Sequence, residues 1–238
     1  MRIMPSEEKG VFSWNADGRT VGFFIKKEET EMEPNQESKV QTKKPFPMRK
    51  FVESALMVAI ATVLSLIKID LPFGGGLTIC SMLPIVLISH RHGVKWGLAT
   101  AFVYSLIQLV LGLDNVGYAE STLMAVGIIL LDYVLAYTVL GLSGGFNKIF
   151  RDGSKPTAVM VGVAFTFILR FLCHFVTGAW IWGVWMPEEF MNMPMTNPWV
   201  YSALYNGWYM LAELVLTEIV VVLLYLPLGK YFRGEDMK

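Results

Sequence analysis

Long apolar runs constrain this chain more than any other feature, and they begin at Phe51. A helix that crosses a bilayer needs about 20 mainly apolar residues, because the hydrocarbon core is about 30 Å thick. Polar breaks divide the chain into six such runs, at approximately residues 51–69, 77–89, 94–113, 121–142, 157–185 and 199–228. The second run is short and contains Pro84, so we expect a kinked or partly re-entrant helix there. The sequence predicts an all-α integral membrane protein of six transmembrane helices.

The composition and the absent motifs narrow the function further. Hydrophobic residues make up 54% of the chain and charged residues 17%, which is typical of a membrane protein and unlike a soluble domain. The sequence has no G-x-x-x-x-G-K-[ST] phosphate loop, no H-E-x-x-H and no G-x-S-x-G. We therefore predict no catalytic residues, no cofactor and no metal site, and a lipid bilayer rather than nucleic acid as the surroundings. His90 and His92 flank Arg91, where we expect a solvated turn rather than a metal site.

The first 47 residues differ from the rest, because acidic and basic side chains are mixed throughout them. They contain no apolar run long enough for a signal-peptide core. The segments VFSW and TVGFF flank residues 15–18, which suit a turn, so a short hairpin is predicted. Residues 28–45 are too charged and too rich in Pro, Gln and Lys to order themselves. We predict a largely disordered cytoplasmic extension over residues 1–47 and a membrane domain over residues 48–238.

Lys and Arg are distributed unevenly among the loops. They concentrate before the first run, between the second and third, between the fourth and fifth, and after the sixth, whereas the intervening loops are acidic or neutral. Cytoplasmic loops carry the excess of Lys and Arg. The alternation predicts a multi-pass protein of the cell membrane with both termini in the cytoplasm, and one span more or fewer would spoil it.

Polar side chains within the apolar runs indicate a binding site. Ionisable groups in hydrocarbon are costly unless they face a polar cavity or a partner, so Asp132, His174 and Glu213 are candidates for function. Depth along the runs places several aromatic and amide side chains in the same region, namely Tyr133, Trp180, Trp182, Trp185, Tyr201, Tyr205 and Asn206. Aromatic faces attract cations and a desolvated carboxylate adds charge pairing. Such a lining suits a flat, cationic heterocycle.

Structural explanations of the same residues stay open at this point. Trp and Tyr near a membrane surface often form an interfacial belt. Asp132 could instead pair with Arg170, and His174 could bond to a neighbouring backbone group. A stand-alone proton-coupled carrier with Asp132 or Glu213 titrating is a second hypothesis, and a membrane enzyme is a remote one because no nucleophile and base are paired in the sequence.

Small residues on the first run suggest a helix contact. Ala55 and Ala59 form a small-xxx-small pair, a spacing that lets a second helix approach closely in a membrane. The second helix belongs either to a protein partner or to this chain itself.

Five segments resemble a known family when they are taken in order. They read IKIDLPFGGGLTICSMLPIVLIS, RHGVKWGLATAFVYSLIQLVLG, LLDYVLAYTVLGLSG, RFLCHFVTGAWIWG and YSALYNGWYMLAEL. Over residues 51–228 they resemble the thiamine-specific substrate-binding (S) subunit of energy-coupling factor transporters. The resemblance implies a six-helix protein that captures thiamine from outside. It also implies association with a transmembrane coupling (T) subunit and two cytoplasmic ATPase subunits. A related vitamin or a pyrimidine precursor is the alternative ligand.

The resemblance also implies roles for single residues. The family's (D/E)Y-x-L-A and R-F-x-x-H motifs, its stacking tryptophan, and the tyrosine and asparagine of its last helix fall on Asp132 with Tyr133, His174, Trp182, Tyr201 and Asn206. Trp185 is a further aromatic candidate. Ala55 and Ala59 match the alanine motif that docks on the coupling subunit. Phe73 lies in the loop that corresponds to the family's lid, and it is the candidate for the aromatic contact of that lid.

Overall fold

The structure of the chain is a computed structural model that describes residues 10–14, 17–18, 20–25, 47–150 and 156–237. The chain divides into two units, Met1–Pro45 and Phe46–Lys238. In the first unit, strand β1 (Gly10–Trp14) pairs antiparallel with β2 (Thr20–Ile25), which is the hairpin that the sequence predicts. The predicted disordered stretch, residues 28–45, lies outside the described residues.

The second unit is mainly helical, and most of its helices overlap the apolar runs. They are α1 (Met48–Leu66), α2 (Leu83–His92), α3 (Val94–Leu111), α4 (Leu113–Val116), α7 (Thr157–Trp180) and α8 (Pro198–Phe232). The fourth run is one helical stretch, Thr122–Lys148, that changes its winding along its length. It consists of α5 (Thr122–Gly127), a π-helix (Ile128–Leu135), α6 (Ala136–Thr138) and a 3₁₀-helix (Val139–Lys148).

Four helical stretches of the described residues are long and apolar enough to cross a membrane. They are Val94–Leu111, Thr122–Lys148, Thr157–Trp180 and Pro198–Met237. The chain is therefore a multi-pass membrane protein. Helix α1 has 19 residues but carries Arg49, Lys50 and Glu53 in its first two turns, and α2 has only 10 residues. The full count of six spans and the side on which the termini lie stay predictions.

The second apolar run differs from its prediction. Gly76–Thr78 form strand β4, which pairs with β3 (Lys68–Asp70), so the helix begins at Leu83 and not at Leu77. Pro84 lies in the first turn of α2, where the backbone N–H groups have no partner within the helix, so it does not kink the helix. All residues from Leu83 to Arg91 are buried. A short helix that is enclosed on all sides has the same continuous apolar sequence as a membrane span.

The predicted solvated turn around Arg91 is instead a buried ion cluster. The Arg91 side chain is 0% exposed, and its guanidinium donates to Glu53 of α1 at 2.6 Å and to Asp236 near the C-terminus at 2.7 Å. His92 lies 2.8 Å from the same Glu53, and His90 lies 2.6 Å from Asn147. Burial lowers the pKa of His90 to about 4 and that of His92 below its usual range. Arg91, on α2, thereby connects α1 and the segment around Asp236 through hydrogen bonds.

We expect Arg91→Gln to lower the free energy of unfolding by about 2–4 kcal/mol, because it leaves two carboxylates without their buried cation. Unfolding of the detergent-solubilised protein, followed by circular dichroism against temperature, measures the loss. Arg49→Gln is the matched control, since Arg49 contacts the same Glu53 and Asp236 but is 55% exposed. The control should cost less than about 1 kcal/mol. Equal losses in both variants would refute the role of burial.

Candidate functional site

A cavity of about 650 Å³ lies between α3, the π-helix, α7 and α8. The residues predicted as ligand contacts all line it, namely Asp132, Tyr133, His174, Trp182, Trp185, Tyr201 and Asn206. Five further residues line the cavity, namely Thr177, Gly178, Ser202, Tyr205 and Tyr209. Of these, only Tyr205 was predicted to lie in this region. The structure therefore brings the predicted residues together on one surface, and their contact with a ligand stays a prediction.

Asp132 is the carboxylate of the cavity wall that accepts hydrogen bonds from three other side chains. Its Oδ1 lies 3.0 Å from His174 Nδ1 and accepts a hydrogen bond from the Thr177 hydroxyl. Its Oδ2 accepts from Trp182 Nε1 at 2.9 Å. The sequence left open a pair between Asp132 and Arg170, and the structure does not contain it. Asp132 is a buried carboxylate that its neighbours hold in one orientation.

The π-helix explains how Asp132 and Tyr133 reach the cavity. Its wider turn changes the direction of the side chains that follow, and π-helical turns occur often at functional sites. Both residues are buried within it. The Tyr133 hydroxyl donates to Gly112 O at 3.0 Å and accepts from Asn115 Nδ2 at 2.7 Å. Tyr133 thus contributes its ring to the wall while its hydroxyl fixes the end of α3.

Asn206 and Ser202 join the two helices that form the opposite wall. Asn206 Nδ2 donates to His174 O at 3.1 Å, and Ser202 Oγ donates to Phe175 O at 2.7 Å. Tyr209 completes the set, because its hydroxyl donates to Asn206 Oδ1 at 3.0 Å. These side chains connect α8 to the backbone of α7 beside the cavity. The spacing of Ser202 and Asn206, four residues apart on one face of α8, is the sequence signal that could have identified Ser202.

Arg170, one helical turn before His174 on α7, forms an ion pair with Glu213. Arg170 Nη1 donates to Glu213 Oε2 at 3.2 Å, and Arg170 Nη2 donates to the Tyr137 hydroxyl at 3.3 Å. The hydroxyl of Thr78, on β4, donates to the other oxygen of Glu213. Arg170 and Glu213 are both buried. Glu213 is therefore paired inside the protein, apart from the carboxylate of Asp132.

Aromatic rings extend from the cavity to two loops. The ring of Trp182 lies 5.7 Å from that of Trp185. Phe190, on strand β5 (Glu189–Phe190), which pairs with β6 (Met193–Pro194), lies 5.3 Å from the ring of Tyr201 and 6.1 Å from that of Phe73. Phe73 is outside the cavity lining, so the structure gives it contact with Phe190 rather than with the cavity. Phe190 was missed, because the sequence of its loop offers no motif.

The loop between β3 and β4 packs closely on α8. Trp208 Nε1 donates to Pro72 O at 2.7 Å. Gly74 and Gly75 have positive φ angles, and a Cβ added to Gly75 would lie 2.7 Å from Tyr209. Only glycine permits both the backbone conformation and the approach. This loop therefore lies directly against the helix that carries Tyr205 and Tyr209.

Among the described residues, no group of three or more metal-ligating side chains occurs.

Comparison with known proteins gives a consistent result. Residues 51–233 match the sequence model of a family described as Thiamine transporter protein (Thia_YuaJ). Thiamine transporter ThiT of Bacillus subtilis (strain 168) is 31% identical over 196 residues, which cover 78% of this chain and 95% of the relative. Thiamine transporter ThiT of Lacticaseibacillus paracasei is 28% identical over 201 residues, with coverages of 79% and 92%.

A solved structure shares the fold. It is described as "Native-SAD phasing for ThiT from Listeria monocytogenes serovar" and superposes with a TM-score of 0.62 at 22% sequence identity. The match covers 78% of this chain and 97% of that chain.

We expect Gly178→Ala to destabilise the protein by about 1–3 kcal/mol, because α7 and α8 must separate to accept the methyl group. A Cβ at this position would lie 2.7 Å from Asn206 Nδ2. The melting temperature of the purified variant measures the effect. Gly207→Ala on α8 is the matched control, since its Cβ would meet nothing nearer than Phe171 at 3.9 Å. It should be neutral or stabilising by up to about 1 kcal/mol, and a control that destabilises as much would argue against the close approach.

Proposed function

The chain belongs to the thiamine transporter family, and from that premise we propose that it is a high-affinity thiamine-binding S component of an energy-coupling factor transporter. One observation carries the proposal: a buried carboxylate, Asp132, lies in the wall of a cavity lined by aromatic rings. The thiazolium ring of thiamine is permanently cationic. A carboxylate removed from water attracts such a cation strongly, because little solvent screens the charge.

The aromatic residues complement the carboxylate. Trp182 donates its N–H to Asp132, which fixes the plane of the indole ring. Its faces then attract a cationic ring by about 0.5–2 kcal/mol. The ring centroids of Tyr201 and Tyr205 lie 5.7 Å apart, and both residues line the same cavity. The volume of about 650 Å³ falls in the range of about 300–1,000 Å³ that small-molecule sites occupy.

Thiamine itself is the ligand that we favour over a related vitamin or a pyrimidine precursor. The relatives from Bacillus subtilis and Lacticaseibacillus paracasei are both named thiamine transporters. A pyrimidine that lacks the thiazolium would leave the carboxylate of Asp132 without a cation. The arrangement around Asp132 therefore supports the complete vitamin.

Energy for transport comes, on this proposal, from partner subunits. The sequence contains no phosphate loop that would bind ATP. Ala55 and Ala59 are exposed on α1, whereas Ser54, Val58 and Ala61 are buried. The alanines therefore lie away from the packed face of α1, which supports docking of a T subunit there rather than packing within this chain. Two ATPase subunits would bind on the cytoplasmic side, which is the side that the distribution of Lys and Arg predicts for the termini.

A proton-coupled carrier that works alone is the alternative, and the contacts of the acids disfavour it. Glu213 is bonded to Arg170 and Thr78. Asp132 accepts from His174, Thr177 and Trp182. Protonating either carboxylate would break bonds that are already made inside the protein.

We expect Asp132→Asn to weaken thiamine binding by about 1–3 kcal/mol, because a charge-assisted contact becomes a neutral one. Isothermal calorimetry with the purified protein measures the dissociation constant. Asp70→Asn on β3 is the control, since Asp70 is exposed and outside the cavity, and it should bind thiamine as the unmodified protein does. Unchanged affinity in Asp132→Asn would assign Asp132 a purely structural role.

We expect Ala55→Trp and Ala59→Trp to abolish assembly with the T and ATPase subunits while thiamine binding stays intact, because a large side chain prevents close approach of a second helix. Co-purification of the complex after joint expression measures assembly, and calorimetry measures binding.

Leu223→Trp is the control for this experiment, because Leu223 is an exposed apolar residue on α8 rather than α1. It should leave assembly unchanged. Normal assembly of both alanine variants would refute the docking face. Concentrative thiamine uptake by vesicles that contain this chain but no ATPase would refute the partner-dependent mechanism and favour the lone carrier.

A further inference from the structure

Thr177 was not among the predicted binding residues, yet its hydroxyl bonds to Asp132. It lies on α7 three residues after His174 and is fully buried. Its hydroxyl donates to Asp132 Oδ1 and also lies 3.3 Å from Cys173 O and 3.2 Å from His174 O. A hydroxyl has a single proton to donate, and a bond to a carboxylate is stronger than one to a neutral carbonyl. The proton of Thr177 therefore points to Asp132.

The carboxylate of Asp132 determines which nitrogen of a neutral His174 carries the proton, and Thr177 holds that carboxylate in place. An ionised carboxylate only accepts hydrogen bonds, and Asp132 already accepts from Thr177 and from Trp182, whose indole nitrogen can only donate. His174 Nδ1 lies 3.0 Å from the same carboxylate, so it too must donate. In a neutral imidazole one nitrogen carries the proton and the other accepts. With the proton of a neutral His174 on Nδ1, Nε2 is left as an acceptor.

The acceptor at His174 Nε2 has no donor. Among the described residues this atom is buried without a hydrogen-bond partner. His174 lines the cavity. A buried acceptor that lacks a donor is unfavourable, so it favours a ligand that supplies one.

We infer that Thr177 is a positioning residue: it orients Asp132 so that His174 offers an unprotonated Nε2 to the ligand, and this atom selects an N–H donor. The inference rests on the proposed function. The pyrimidine ring of thiamine carries an amino group, and this group is the N–H donor of the vitamin. Selectivity for the amino group then arises from a residue that need not contact the ligand.

The first test compares two ligands on the unmodified protein. Oxythiamine replaces the amino group of thiamine with an oxo group, which is an acceptor. We expect oxythiamine to bind weaker by on the order of tenfold or more, since two acceptors then face each other. Calorimetric titration of the purified protein measures both constants. Tight thiamine binding with equal or tighter binding of oxythiamine would overturn this inference alone. Absence of thiamine binding would overturn the proposed function and the inference with it.

The second test removes the hydroxyl of Thr177. Thr177→Val has nearly the same shape, and we expect it to weaken thiamine binding on the order of tenfold and to reduce the discrimination against oxythiamine. Thr177→Ser retains the hydroxyl and should restore both properties. A structural role alone would lower stability without changing the preference between the two ligands.

Thr166→Val is the matched control. Thr166 is also on α7 and fully buried, but its hydroxyl donates only to Val163 O at 3.0 Å. It should bind both ligands as the unmodified protein does. Unchanged affinity and discrimination in a folded Thr177→Val would overturn the positioning role. If Thr177→Val does not fold, Thr177→Ser decides, because loss of discrimination in a variant that keeps the hydroxyl would contradict the inference and retention would support it.

Discussion

A carboxylate within a membrane protein must find its hydrogen-bond donors inside the protein, and Asp132 imposes this requirement on the fold. Its donors come from α7 and from the turn after it: His174 and Thr177 lie on one face of the helix, and Trp182 lies beyond its end. Helix α7 ends at Trp180, which allows Trp182 to turn back to Asp132. One buried charge thus accounts for the position of the π-helix against α7 and for the fixed orientation of the indole ring.

Much of the fold follows from the apolar runs, and the exceptions have physical causes. The third, fifth and sixth runs become long helices because length and continuous hydrophobicity are properties of the sequence itself. The helix of the second run begins later than predicted, because residues 76–78 pair with β3, a partner that the local sequence does not reveal. The buried state of Arg91 depends on Glu53 and Asp236, which lie 38 and 145 residues away, so local sequence gives no sign of it.

The sequence predicts which types of residue line the candidate site, but it does not predict most of the hydrogen bonds between them. Asp132 and His174 stand out because ionisable groups are rare in apolar runs, and the structure brings both to one cavity. Thr177 does not stand out, since a threonine in a membrane helix commonly bonds to its own backbone. Phe190 lies in a loop without regular pattern, and its place between Tyr201 and Phe73 depends on two hairpins that meet only in the folded chain.

The separation of the two buried acids explains why the cavity suits a cation. Arg170 lies one helical turn before His174 on α7, the helix that supplies two of the donors to Asp132, but its guanidinium bonds to Glu213 and Tyr137. The hydrogen bonds to Asp132 come instead from His174, Thr177 and Trp182. Asp132 therefore has no arginine partner that would neutralise it, and its carboxylate stays available to a cation in the cavity, whose other charged lining residues are Lys68 and Asp114. Thr78 strengthens this division, because its bond to Glu213 holds the glutamate on the Arg170 side.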